Sequence, residues 1–219
     1  MITTAAKNKK RNPGLTVTAL ILFTFILIFP TDSKNLIVGS FSIQTSILNN
    51  GDIIFRRGTS FVSNMVLTAD KSSPYSHSGI VKIIGGKYFV IHSVPAEEPG
   101  EKDLTKIDPL LNFLKRDRST AIAVYRLRDE NHNLQNLAAE NAYNYAVQKT
   151  PFDSDFNLNT DSRLYCTELV WKSYLLAGID LIDNKFEEIN LPFSKGPYIL
   201  PGTLLKSKHL KPIYSINFL

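Results

Sequence analysis

The chain has a single cysteine, Cys166, among 219 residues. That excludes an internal disulfide and any cysteine-rich metal centre. Histidine is also sparse, with four in all: His77, His92, His132 and His209. Two of these could serve zinc, but no third histidine or carboxylate stands at an evident ligand spacing, so neither a metal nor a cofactor is expected. There is no dense basic stripe interleaved with aromatics, and therefore no nucleic-acid signature. Internal repeats and low-complexity tracts are absent as well. The net charge of +5 is small, and four of the positive charges fall on Lys7, Lys9, Lys10 and Arg11.

The composition, 43% hydrophobic and 21% charged, suits one globular domain with a short appendage. That appendage is residues 1–33. The basic cluster precedes an uncharged run from Leu15 to Phe29, closed by Pro30, Thr31 and Asp32. Such a run is near the lower length limit for a spanning helix. Two readings compete: an uncleaved signal anchor, and a signal peptide that leaves a secreted or periplasmic domain. The anchor is favoured because no A-x-A cleavage site follows. The positive side stays cytoplasmic, so the expectation is a single-pass membrane protein with its domain on the extracytoplasmic side.

Residues 34–48 read as a connector without period, and residues 49–219 as the domain. Asn49-Asn50-Gly51-Asp52 is a turn signal before a short strand, Ile53 to Phe55. Apolar positions in 60–69 have helical spacing. Two apolar runs, Gly79 to Ile84 and Tyr88 to Val94, flank Gly85-Gly86 and predict a hairpin in which paired residues have numbers summing to about 171. A charged loop, 97–106, leads to a short helix over 108–115 and a strand from Ala121 to Leu127. Helices follow at 133–148 and about 166–177, with Gly178 at the C-cap, and the tail from 190 reads as extended. Antiparallel strands with segregated helices define an α+β domain.

Cys166 stands where a polar loop gives way to an amphipathic helix. A lone cysteine is often a small buried hydrophobe. In the first turn of a helix, however, a thiol meets unpaired N–H groups and the positive end of the macrodipole, which favour thiolate and can also hold an oxyanion. Glu168 reads as a helix cap, because a carboxylate facing the thiolate would oppose its activation. His77 opens the first hairpin strand. The predicted register makes His92 its diagonal neighbour on the same face. Thiol, base and orienting group are thereby candidates for one site: Cys166, His77 and His92. His132 and His209 lie in polar, loop-like surroundings and read as solvated bystanders.

The segments GDIIF (51–55), YSHSGIV (75–81), YFVIHSV (88–94), AVYRL (123–127), TPFDSDF (150–156) and YCTELVWKSY (165–174) together resemble the permuted papain-like amidases related to the NlpC-type cell-wall peptidases. Their order is His, polar third residue, Cys, a circular permutation of papain. The resemblance implies an antiparallel sheet with flanking helices, Cys166 as nucleophile, His77 as base and His92 in the third position, where relatives often carry Glu. The layout is also similar to the lecithin:retinol acyltransferase family, which acts on acyl groups of lipids. The resemblance thus implies a cysteine hydrolase acting on an amide- or acyl-containing substrate: a peptide, a cell-wall fragment or a lipid. Its rivals are an acyltransferase or thioesterase using the same residues, and an inactive binding module.

Overall fold

The computed structural model describes residues 35–38, 41–191 and 194–217. The basic cluster and the apolar run Leu15 to Phe29 lie outside the described residues, and among those described no helix is long and apolar enough to cross a membrane. In chain order the elements are β1 (Asn35–Val38), β2 (Phe41–Gln44), a 3-10 helix (Thr45–Ile47), β3 (Ile53–Arg57), α1 (Phe61–Ala69), β4 (His77–Ile84), β5 (Lys87–Val94), β6 (Leu104–Pro109), α2 (Leu110–Phe113), β7 (Ala121–Leu127), α3 (His132–Val147), α4 (Cys166–Leu176), β8 (Glu187–Leu191), β9 (Ser194–Tyr198), α5 (Pro201–Leu205) and β10 (Leu210–Asn217). A six-stranded antiparallel sheet has the order β10-β7-β3-β4-β5-β6, and β1-β2 and β8-β9 are separate hairpins.

Both faces of the large sheet are covered, which is why its strands read as unbroken apolar runs. Ile53, Phe55, Ile80 and Ile91 pack on one face against Ala138 and Ala142 of α3 and Leu169, Val170 and Tyr174 of α4. Ile54, Val81, Val90 and Val124 point the other way, to Leu110 and Phe113 of α2 and to Ile43 and Leu48. Burying each such side chain contributes about 1.5–3 kcal/mol. Helix starts follow local chemistry: Ser60 accepts from the Ser63 N–H at 3.1 Å, and Asn131 from the Leu134 N–H at 3.1 Å.

The β4–β5 hairpin has the expected register. Ile80 pairs with Ile91 and Val81 with Val90, and both turn glycines take positive φ (55° and 75°), the geometry of a type I′ turn. Three expectations need correction. The connector contains the β1–β2 hairpin. The charged loop ends in a true strand, β6, so the helix after it is only Leu110–Phe113. The extended tail instead holds β8, β9, α5 and β10, and β10 closes the β7 edge of the sheet with a bulge at Pro212–Tyr214. A proline beside a bulge suits an edge, where one flank of the strand needs no ladder partner.

Candidate active site

Cys166 is the first residue of α4, 8% exposed, with its thiol against the backbone and hydroxyl of Ser78 and the N–H groups of its own helix start. Its approach is fixed by hydrogen bonds to the flanking backbone. Ser93 Oγ of β5 donates to the Leu164 carbonyl at 2.5 Å, and the Leu164 N–H donates to Pro151 O at 3.0 Å. Beyond it, Thr167 Oγ1 donates to Ile199 O at 2.5 Å, and the Ile199 N–H donates to Tyr165 Oη at 3.0 Å. Glu168 caps the helix as expected. Its Oε2 accepts from the Tyr165 N–H at 3.2 Å, Lys172 lies 3.0 Å from Oε1, and burial pushes its carboxyl up to about 7.

His77 lies at the mouth of β4, one residue before Ser78, and lines the same cavity as Cys166. His77 Nε2 is 2.8 Å from His92 Nδ1, and His92 Nε2 is 3.1 Å from Asp108 Oδ2. Asp108, which the sequence left at a helix start, sits on β6 where His92 pairs with Lys106, a diagonal step of two residues. The same rule that joins His77 to His92 therefore joins His92 to Asp108. Phe113 closes this group, with its ring centroid 5.7 Å from that of His77 and 5.1 Å from that of His92. Gly79, opposite His92, makes the close pairing possible, since a Cβ there would fall 2.8 Å from Ile91 O and 3.1 Å from His92 Cβ.

The relay assigns the tautomers. Asp108, held down to about 2 by the His92 hydrogen bond and nearby cations against the opposing effect of burial, can only accept. His92 Nε2 therefore donates to it, which leaves His92 Nδ1 to accept from His77 Nε2–H. His77 Nδ1 then carries the lone pair. Burial, reinforced by Arg56, holds His77 well below the ordinary histidine range, and burial also lowers His92.

The thiol differs from expectation. Burial pushes Cys166 up, and the Ser78 and helix-start hydrogen bonds offset this only in part. The helix terminus acts as predicted, but the lost solvation outweighs it. Burial thus works against the charged form of both the thiol and the imidazole.

His132 is exposed at the start of α3, and His209 lies 3.1 Å from Asp183; neither lines the cavities at Cys166. The structure does bring a ligand-like trio together: donor atoms of His92, Glu97 and Asp108 lie within 4.8 Å of one another. A divalent cation does not fit there. Lys106 is 3.3 Å from Glu97 and 3.5 Å from Asp108, Arg118 is 3.3 Å from Glu97, and Arg56 pairs with Glu97 and donates to Phe113 O at 2.9 Å. Three side-chain cations already balance the two carboxylates, and both His92 nitrogens are engaged. Sequence periodicity could not find Arg56, Glu97, Lys106 or Arg118, because buried ion pairing leaves no apolar pattern.

No curated protein sequence matches the chain. The YiiX protein of Escherichia coli O157:H7, described as a metalloprotein, shares the fold with a TM-score of 0.63 at 22% identity, covering 77% of this chain and 97% of that one. The sequence profile of the permuted papain-like amidase enzymes, YaeF/YiiX, C92 family, matches residues 47–214. With the profile spanning most of its length, the chain belongs to that C92 family of permuted papain-like amidases.

Proposed function

We propose that this domain is a cysteine hydrolase that cleaves an amide or related acyl bond through a thioacyl-enzyme intermediate. The observation that carries the reading is the relay Asp108–His92–His77, which presents a basic nitrogen in the cavity where the Cys166 thiol sits at a helix N-terminus. As Cys166 Sγ attacks the carbonyl carbon, its proton passes to His77 Nδ1 and then to the leaving nitrogen or oxygen. N–H groups of the α4 start stabilise the oxyanion. Water, deprotonated by His77, then releases the acid and restores the thiol. Because burial works against both charged forms, the thiolate forms during the attack rather than before it.

Intact-mass spectrometry of the domain after brief incubation with muropeptides, N-acyl amides or acyl thioesters tests this. An adduct of the acyl mass on Cys166, cleared by water over time, is the expected result. Turnover with no dependence on Cys166 would overturn it.

Asp108 enters as a positioning residue. Asp108→Asn is expected to lower kcat about 10–100-fold with little change in KM, the scale of other orienting groups. Removing its negative charge lowers the histidine pKa further, so the acid limb of kcat/KM should move to lower pH. A loss of thermal stability with an unmoved acid limb would reduce Asp108 to a structural role.

A further inference from the structure

We propose that Ser78 is a further catalytic residue, whose buried hydroxyl donates to the Cys166 sulfur as negative charge develops there. This rests on the nucleophile assignment above and adds a group to the same reaction. The fold opens a place for it. In β4 the Val81 N–H turns to the β3 side, where it donates to Asp52 O at 2.8 Å, so those of Ile80 and Ser78 turn to the β5 side. The β4–β5 pairing ends at Ile80–Ile91, two residues short of Ser78. The same register continued would set Ser93 opposite Ser78, but Ser93 Oγ instead holds the Leu164 carbonyl just before α4. The start of α4 is seated at that break in the ladder. There the Ser78 N–H, with those of Cys166 and Thr167, faces the sulfur.

Ser78 Oγ faces the sulfur as well, in a fully buried residue, and it has no nitrogen or oxygen partner. A buried hydroxyl without such a partner opposes folding, and a neutral thiol, a weak acceptor, recovers little of the loss. A thiolate is a strong acceptor. The hydroxyl therefore gains most when the sulfur is charged: as it attacks the carbonyl, and again as it leaves the acyl group. An interaction that strengthens along the reaction in this way lowers the barrier. Once the substrate oxygen claims N–H groups of the α4 start, Ser78 is the donor that stays with the sulfur. No bond to Ser78 Oγ breaks. The S–H proton passes to His77 Nδ1, the Ser78 O–H turns to sulfur, and this hydrogen bond weakens when the thioester leaves sulfur neutral.

The rate of Cys166 alkylation by iodoacetamide against pH, read by intact mass, tests this in Ser78→Ala. Loss of a hydrogen bond to a charged sulfur raises the midpoint by about one pH unit. Below the midpoint the thiolate fraction then falls about tenfold, while the more basic sulfur becomes about threefold more reactive. The two profiles should therefore cross, the variant being about threefold slower below the midpoint and about threefold faster on the alkaline plateau. Thermal stability should be unchanged or higher, because an unpaired hydroxyl has gone. Ser78→Thr keeps the hydroxyl and should follow the native profile. Ser173→Ala removes another unpaired buried hydroxyl, about two turns further along α4, and should leave the profile unmoved. Superimposable profiles for Ser78→Ala and the native protein, or an equal displacement in Ser173→Ala, would overturn the role of Ser78 and leave Cys166 as nucleophile. Resistance of native Cys166 to iodoacetamide, with labelling only after denaturation, would remove both.

Discussion

Cys166→Ala and His77→Ala are each expected to reduce turnover by about 10⁴-fold or more, the effect of removing one member of a nucleophile–base unit. Because the two act on the same proton, the double variant should be no worse than either single one. Cys166 is a small side chain at the edge of a cavity, so its truncation should shift thermal stability little. His77→Gln retains a hydrogen-bonding group toward His92 and keeps the comparison fair if His77→Ala loosens the fold. His92→Ala should leave partial activity, since an orienting group contributes less than the nucleophile. His132→Ala and His209→Ala should be silent, because neither borders the cavities at the thiol. Full activity in Cys166→Ala would return the thiol to the core, and a folded but inactive His132→Ala protein would move the site elsewhere.

The largest stability effect is expected at Arg126. Asp52 is fully buried, and Arg126 reaches it with Nε and Nη2, each at 2.7 Å, while the Asn49 N–H adds a third bond at 2.8 Å. Arg126 also donates to the Ile47 carbonyl at 2.5 Å, and the Gln135 amide touches the same carboxylate at 3.4 Å. The pair thereby ties the turn before β3 to β7 and α3. Arg126→Met removes the cation and leaves a buried carboxylate, a loss of about 3–5 kcal/mol that urea unfolding would measure. Burial already holds Asp52 above the usual aspartate range despite the guanidinium, and loss of Arg126 raises it further. A folded-state pKa above the unfolded value of 3.8 means that the deficit is full at neutral pH and shrinks as pH falls through the raised value. Asp52→Asn combined with Arg126→Met should recover part of the loss, since no charge is then stranded. A cost under about 1 kcal/mol for Arg126→Met would mean that Asp52 finds water.

What the sequence determined by itself is what neighbouring residues dictate to one another. Gly85-Gly86 can take the two positive φ angles of a tight turn, which fixes the β4–β5 register and with it the contact of His77 with His92. Apolar spacing drew α1, α3 and α4, and put Cys166 in a first helical turn. The tertiary structure decided the rest. β6 looks like a charged loop because Lys106 and Asp108 face a buried ion-pair network, so the strand carries no apolar alternation although His92 pairs across to it. β10 is legible only beside β7, its partner some eighty residues earlier in the chain. The thiol shows the division most clearly. Its helix terminus is local and favours thiolate, as the sequence implied. The burial that reverses the balance comes from the packing of distant segments around α4, and hydrogen bonds to Ser78 and to the helix start offset it only in part.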